Sequence, residues 1–187
     1  MSQTTSILVT SDVHATVLEH SYADGQIKPY GLSRYLTALT QERAIHPVIT
    51  VDNGDILQGS PLLTYFHQQH RAPHLLAQVL NHLGIDYFNL GNHDFNYGLP
   101  ILKQFLNDLN AKVLTSNVLL DGQPLGETRL YVTADGTRIA LIGVVTDYIP
   151  HWEKPAHLKG ITFMDPITVV ENQVALWRPL VDIVVVA

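Results

Sequence analysis

Three short polar motifs hold the residues in this sequence that could do chemistry, and each directly follows an apolar run. They are Ser11-Asp12-Val13-His14, Asp52-Asn53-Gly54-Asp55 and Gly91-Asn92-His93-Asp94. Together they offer carboxylate, imidazole and carboxamide groups, and no thiolate accompanies them because the chain has no cysteine. Oxygen and nitrogen ligands of this kind suit divalent ions such as Mn, Fe, Zn, Co or Mg. The three motifs therefore predict a metal centre.

The first two motifs have the spacing of ligands that share ions. If the segment after the first apolar run is extended, Asp12 and His14 point to the same side and can bind one ion. Gly54 allows a tight turn close to the ions, which leaves Asp55 free to bridge two of them. Two ions about 3.5–4 Å apart lower the pKa of a shared water and clamp a phosphoryl group. We therefore expect Asp55 to be the bridging ligand of a dinuclear centre.

The third motif adds a ligand and a residue that could act on the substrate. Asn92 can donate its amide oxygen to the second ion, and His93 is then expected to face the substrate as an acid or as a stabiliser of the transition state. Asp52 is as well suited to orienting a ligand as to capping its turn, whereas Asn117 is better suited to a turn. Four polar side chains in all are candidates to support the ligands or to line the pocket: Asp52, Asp94, Asn96 and Asn117.

Alternating strands and helices are predicted to position these motifs. Apolar runs at 7–10, 48–51, 87–90, 113–114, 139–142 and 183–186 have the composition of buried strands. Helical spacing of apolar residues occurs at 32–39, 76–83 and 102–109, and Asp135-Gly136 indicates a hairpin turn. This alternation predicts an α/β layered architecture on a mainly parallel sheet. Because loops beyond the carboxyl ends of parallel strands converge, the three motifs are expected to face one pocket.

Composition indicates a folded protein with one substantial core. The chain has 187 residues, of which 46% are hydrophobic and 15% charged, so we predict one compact domain. The net charge of −6 argues against duplex nucleic acid as a partner, because phosphate neutralisation requires clustered Lys and Arg. The N-terminus lacks the features of a secretory signal, and no apolar stretch reaches the roughly 18 residues of a membrane span. These features predict a cytoplasmic protein without a membrane partner.

Three of the ten histidines are spaced so that they could share one helical face. His67, His70 and His74 could in that case bind a further metal ion. Pro73 interrupts the helix, however, and no carboxylate accompanies the three residues in the sequence. We therefore predict that these histidines lie on the solvated surface.

The order of the motifs resembles that of the calcineurin-like metallophosphoesterases. Two longer strings, VDNGDILQGSP at 51–61 and NLGNHDFNYG at 89–98, are similar to the bacterial 5′-nucleotidase and 2′,3′-cyclic-nucleotide 2′-phosphodiesterase branch of that family. The resemblance covers most of the chain and implies a four-layer α/β/β/α sandwich. It also implies a hydrolase that acts on small nucleotides through two divalent ions. The resemblance implies that Asp12 and His14 bind the first ion and that Asn92 binds the second. It also implies that Asp55 bridges the two ions and that His93 is the catalytic residue.

Two departures from the family pattern affect which subgroup we expect and how much of the domain we expect this chain to contain. The 5′-nucleotidase type has an Asp at the position of Asn96, whereas the cyclic-nucleotide phosphodiesterase type often has Asn, so Asn96 favours the second type. The family also supplies His ligands, and a C-terminal nucleotide-recognition domain, after the strand that resembles 181–187. We therefore expect residues 1–187 to be the N-terminal part of a metallophosphoesterase domain, incomplete at its C-terminal side. Such a fragment is expected to bind the second ion weakly and to have low activity.

Two other functions remain open at the level of the sequence. The same centre could serve a nuclease or a protein phosphatase, although the strings at 51–61 and 89–98 favour nucleotides. Alternatively, the domain could be a non-catalytic module that holds one cation. The motifs do not distinguish between the candidate metals, the bases, or a 2′, 3′, 5′ or cyclic phosphate.

Overall fold

The computed structural model describes residues 4–69 and 72–187. Within these residues the strands are β1 (Ser6–Thr10), β2 (Val48–Asp52), β3 (Tyr87–Phe88), β4 (Lys112–Val113), β5 (Val118–Leu120), β6 (Gln123–Pro124), β7 (Arg129–Val132), β8 (Arg138–Ile142), β9 (Ile161–Phe163) and β10 (Ile183–Val186). The α-helices are α1 (Leu32–Arg43), α2 (Pro61–Gln68), α3 (Leu75–Leu83), α4 (Gly98–Asp108), α5 (Ile149–Trp152) and α6 (Pro166–Trp177). Short 3₁₀ turns lie at Asn92–Phe95 and Pro155–Leu158.

The first sheet is parallel and contains the first four strands in chain order. β1, β2, β3 and β4 lie side by side, so every motif that follows one of these strands emerges at the same edge. The β2 residues Ile49, Thr50 and Val51 are all buried, so both faces of this strand are covered, as parallel strands between two covering layers require. The predicted parallel sheet is confirmed. The third strand, Tyr87–Phe88, is shorter than the apolar run at 87–90 from which it was predicted.

Two smaller sheets complete the strand layout of the described residues. β10, β8 and β7 form one sheet, in which β8 pairs with β10 in parallel and with β7 as an antiparallel hairpin. Asp135-Gly136 lies between β7 and β8, with Gly136 at φ 89°, so the predicted hairpin is confirmed. The third sheet, β6-β5-β9, is antiparallel and was not predicted. Its strands have only two or three residues, too few for an alternating pattern to stand out.

The core shows how the layers stack. Ile49 and Val51 of the first sheet cluster with Ile139 and Leu141 of the second, so these two sheets pack face to face. The opposite face of the first sheet contributes Phe88 to a larger cluster with the buried faces of α2, α3 and α4. On the far side, α6 contacts β8 and β10. Helices, parallel sheet and second sheet are thus layered, as predicted for an α/β protein.

The predicted helices are present, and the structure adds others. The spacing at 32–39 and 76–83 falls inside α1 and α3, and that at 102–109 falls inside α4 except for Leu109, which caps the end of the helix. The spacing of apolar residues did not predict α2, although two start signals precede it. The Ser60 hydroxyl accepts a hydrogen bond from the Leu63 amide as the N-cap, and Pro61 occupies the first turn. The longest described helices have 12 residues, and none combines the length and hydropathy that crossing a membrane requires.

The predicted surface location of the spaced histidines is wrong for the two that the structure describes. His67 and His74 are buried, 7% and 0% exposed, with their Nε2 atoms 3.0 Å apart. The backbone N–H of His74 donates to Asp108 Oδ2 at 2.7 Å, so a carboxylate distant in sequence supports the pair. Burial lowers the pKa of each histidine to about 4. His70 lies outside the described residues, and the helix does end before Pro73, as predicted.

Candidate metal centre

The loops after β1, β2 and β3 meet at the carboxyl edge of the parallel sheet. The backbone N–H of Asp12 donates to the Gly54 carbonyl at 3.1 Å, and that of His14 donates to the Asp55 carbonyl at 2.9 Å. The backbone N–H of His93 donates to Asp55 Oδ1 at 2.7 Å. Three segments that are distant in sequence are therefore joined directly to one another, as their positions at the strand ends predicted.

Asp12, His14 and Asp55 form a group that could hold a metal ion. One ligand atom from each lies within 4.8 Å of the other two. Ligand atoms about 2.0–2.2 Å from a shared ion lie up to about 4.4 Å apart, so small side-chain adjustments close the group around an ion. His14 Nδ1 lies 3.0 Å from the Gln58 carbonyl, and donation there leaves Nε2 free for the ion. These residues fit a divalent cation in both chemistry and spacing.

The backbone around the first two motifs is left-handed, which corrects the expectation of an extended segment. The φ angles are 55° at Asp12, 49° at His14, 57° at Ala15 and 57° at Asp55. Non-glycine residues rarely adopt this conformation, and clusters of them mark sites where surrounding contacts hold strained backbone. Asp12 and His14 therefore converge because the loop coils, and not because alternate residues of a strand share a side.

Gly54 is required by a close approach of two loops. Its φ is +83°, and a Cβ at this position would lie 2.1 Å from the backbone nitrogen of Gly91 and 2.7 Å from the carbonyl oxygen of Asn89. No side chain fits in that space, and the positive φ independently favours glycine. The residue thus allows the second loop to pack against the third, which brings Asp55 to the third motif.

Asp94 is a buried carboxylate that ties the second and third motifs together. Its Oδ1 accepts from the backbone N–H groups of Ile56 and Leu57, each at 2.9 Å. Its Oδ2 accepts from those of Asp55 at 3.0 Å and Gly91 at 2.8 Å. Burial raises the pKa of Asp94 to about 6, against the opposing effect of these hydrogen bonds. The structure therefore places Asp94 next to the candidate ligand Asp55, where it orients the loop that carries that residue.

Two more of the candidate supporting residues, Asp52 and Asn117, cap turns. Asp52 is fully buried, and its Oδ1 accepts from the Gly54 amide at 3.1 Å, so the structure gives it the capping geometry. Burial raises the pKa of Asp52 to about 7. Asn117 is also fully buried in a turn, where its Oδ1 accepts from the Val145 amide at 2.9 Å. Asn117 thus joins the end of the first sheet to the segment after β8, in agreement with the predicted turn role.

His93 opens onto a cleft of about 340 Å³ at the edge of the ligand group. Its ring lies edge-on to the His14 ring, with centroids 5.3 Å apart. The residues that line the cleft are Asn92, His93, Asn96, Ile149, Trp152 and Glu153. Glu153 was missed by sequence reasoning, because the segment around α5 has no motif that would single it out. The structure brings Asn92, His93 and Asn96 together at this cleft.

A chain of hydrogen bonds leads away from His93. His93 Nδ1 lies 2.8 Å from Asn96 Oδ1, and Asn96 Nδ2 donates to Glu153 Oε2 at 2.6 Å. Glu153 Oε1 in turn lies 2.9 Å from His157 Nδ1. The histidine is thus oriented by an amide, and the amide by a carboxylate.

The fold and this arrangement of residues agree with a known family. The family model for calcineurin-like phosphoesterases matches residues 5–186, and the chain belongs to that family. The solved structures include a Staphylococcus aureus protein proposed to be a 5′-nucleotidase, in complex with alpha-ketoglutarate. Its TM-score is 0.90 at 33% identity, over 96% of this chain and 36% of that one.

Curated relatives are considerably longer than this sequence. A trifunctional nucleotide phosphoesterase of Bacillus subtilis is 31% identical over 171 residues, which is 80% of this chain and 12% of that protein. A 2′,3′-cyclic-nucleotide 2′-phosphodiesterase/3′-nucleotidase of Yersinia enterocolitica is 32% identical over 179 residues, or 87% of this chain and 27% of that protein. The chain therefore spans about an eighth to a quarter of these two relatives.

Proposed function

We propose that the protein hydrolyses phosphate esters of nucleotides, and that Asp12, His14, Asp55 and Asn92 hold two divalent ions. The observation that carries this proposal is the position of Asp55. Its side chain belongs to the ligand group of the first two motifs and also accepts a hydrogen bond from the backbone of His93. Two ions bound here would polarise a phosphoryl oxygen and lower the pKa of a water molecule.

The residues of the chain would orient the substrate around this centre. Asp12 and His14 are proposed to bind one ion, Asn92 the other, and Asp55 both. His93, at the mouth of the cleft, is proposed to donate to a phosphoryl or leaving-group oxygen through Nε2 when its ring is protonated, because Nδ1 faces Asn96. This division keeps the hydrogen-bond donor separate from the metal ligands.

A small nucleotide is the proposed substrate. The names of the Bacillus subtilis and Yersinia enterocolitica relatives specify nucleotide phosphoesters. By the family resemblance, Asn96 favours the cyclic-nucleotide type. The cleft beside His93 is lined by polar groups and by Trp152, whose side chain is largely exposed. The proposed reaction is therefore hydrolysis of a 2′,3′-cyclic phosphodiester or of a nucleoside monophosphate. That residues 1–187 are the N-terminal part of a longer phosphoesterase stays a prediction.

The test is metal content and hydrolysis by the complete gene product. Elemental analysis should find two divalent ions per chain, and 2′,3′-cyclic AMP or 5′-AMP should be hydrolysed. Asp55→Asn should lower both the metal content and the activity, the activity by about 100-fold or more. Loss of a residue that only hydrogen-bonds to a metal ligand already costs about 10–100-fold. Asp24→Asn changes an exposed aspartate in the same way and should have no effect.

Other outcomes would identify a different function. A protein that binds two ions but hydrolyses neither nucleotide, while cleaving DNA or a phosphoprotein, would indicate the nuclease or protein-phosphatase specificity. A protein that binds one ion and hydrolyses nothing would be a metal-binding module. Equal metal content in Asp55→Asn and the wild type would reject the proposed centre itself.

A further inference from the structure

We propose that Glu153 is a positioning residue for His93 and that it acts through the side-chain amide of Asn96. The inference deepens the proposed function, since it concerns the histidine assigned there to the substrate. Its basis is the continuous chain from His93 Nδ1 to Asn96 Oδ1 at 2.8 Å and from Asn96 Nδ2 to Glu153 Oε2 at 2.6 Å. Asn96 and Glu153 are 57 residues apart in sequence, so only the fold joins them.

Glu153 determines which way the amide of Asn96 points. A carboxylate has only acceptor atoms, so the group that faces Glu153 must be the amide nitrogen of Asn96. The amide oxygen of Asn96 is then fixed towards His93. In the reversed orientation, an oxygen of Asn96 would face an oxygen of Glu153 at 2.6 Å, and the nitrogen would face the histidine. Repulsion between the two oxygens excludes that orientation.

The fixed amide in turn sets the proton position on His93. Because Asn96 presents an acceptor, Nδ1 of a neutral His93 must carry the hydrogen, which leaves Nε2 as the unprotonated nitrogen. Nε2 is then the atom that exchanges protons in the cleft. Without Glu153 the amide could rotate, and the two tautomers of His93 would become closer in energy. Glu153 therefore selects the Nδ1–H tautomer of His93 through the uncharged amide of Asn96.

The surroundings keep Glu153 charged and in place. Its side chain is only 7% exposed, and its second oxygen, Oε1, meets His157 Nδ1 at 2.9 Å. Burial alone would raise the pKa of Glu153, but hydrogen bonds from Asn96, the Lys154 amide and His157 outweigh it and hold the pKa below its ordinary value. A charged acceptor whose side chain is largely covered is therefore available to orient the amide of Asn96.

Charge removal at Glu153 provides the first test. In the complete gene product, Glu153→Gln should lower kcat on 2′,3′-cyclic AMP by about 10–100-fold, the range found for partners of reactive groups. KM and metal content should change little, because glutamine keeps the shape of the side chain in the cleft and Glu153 is not among the candidate metal ligands. Glu171→Gln makes the same replacement on the exposed surface of α6 and serves as the matched control.

A second substitution distinguishes positioning from a general structural role. Asn96→Asp places a carboxylate directly against His93, and Gln at 153 could then donate to that carboxylate. The double variant Asn96→Asp with Glu153→Gln should therefore recover most of the kcat lost in Glu153→Gln. The single variant Asn96→Asp should not, because it sets two carboxylates 2.6 Å apart. A double variant that is as slow as Glu153→Gln would overturn the proposal.

The tautomer itself can be read without any activity. Two-bond ¹H–¹⁵N spectra of the histidines, assigned by comparison with His93→Gln, should show the Nδ1–H tautomer of His93 in the wild type. Glu153→Gln should give a mixture of tautomers, and Glu171→Gln should not. An unchanged His93 signal in Glu153→Gln would overturn the inference. If the tautomer shifts but the wild type hydrolyses no nucleotide, the proposed function fails while the positioning role stands.

Discussion

Replacing Asp94 with asparagine tests how one buried carboxylate supports the centre. The four backbone N–H groups that bind Asp94 come from Gly91, Asp55, Ile56 and Leu57, two to each oxygen. Asparagine has nearly the same shape but only one oxygen. Two of the four donors would therefore face an NH₂ group, which cannot accept a hydrogen bond. The change removes acceptor capacity without creating a cavity.

The expected cost follows from the two donors left without a partner. A buried polar group that loses its partner costs about 1–3 kcal/mol, so the Asp94→Asn variant should lose about 2–6 kcal/mol of its free energy of unfolding. Since domains are typically stable by about 5–15 kcal/mol, the loss should be large. The second loop should also be less well held, so metal affinity should fall through Asp55.

Urea unfolding followed by circular dichroism, at about pH 7.5 in the presence of a chelator, measures this loss without a contribution from bound metal. Metal titration of the same variant then reports the effect on the centre. Asp24→Asn replaces an exposed aspartate and should change the free energy of unfolding by no more than about 0.5 kcal/mol. The reasoning is refuted if Asp94→Asn is as stable as Asp24→Asn, because the four hydrogen bonds would then contribute nothing.

Two further predictions follow from the loops and from the buried histidines. Gly54→Ala should weaken metal binding and cost clearly more stability than Gly25→Ala, because both glycines have positive φ but only the first would clash; equal losses in urea unfolding would contradict this. The second prediction concerns pH, because burial lowers the pKa of His67 from 6.5 to about 4. As the pH drops below 6.5, His67 becomes protonated in the unfolded state before it does in the folded state. The free energy of unfolding therefore falls as the pH drops below 6.5. Between about pH 7.5 and about pH 5 the loss due to this histidine should be about 2 kcal/mol. His67→Gln should reduce the wild-type pH dependence by that amount and exposed His82→Gln should not; parallel pH curves for the wild type and His67→Gln would contradict the assignment.

The position of the candidate centre could be predicted because it depends on local pattern and one topological rule. The apolar runs that became β1, β2 and β3 are each followed at once by polar residues, and parallel strands present such residues at one edge. The ligand types needed no coordinates, since carboxylate, imidazole and amide groups are visible in the sequence. The grouping of Asp12, His14 and Asp55 within 4.8 Å agrees with that prediction.

The local conformation of those same loops could not be predicted. Asp12 and His14 were expected to converge along an extended segment, but both are left-handed, because hydrogen bonds to the second loop coil the first. Burial of His67 and His74 was missed for a related reason. A histidine pattern with an intervening proline looks exposed when only its own segment is considered, whereas α4 supplies Asp108 from the other side.

The sequence by itself therefore determined the alternation of strands and helices, the ligand types and the strand ends that carry them. These features depend on periodicity and composition within a few residues, which the order of amino acids records directly. Only the tertiary structure decided that Asp94 ties two loops together and that Glu153 lies behind Asn96 and His93. Such contacts join side chains tens of residues apart, and they exist because whole layers pack in one arrangement, which no local pattern specifies.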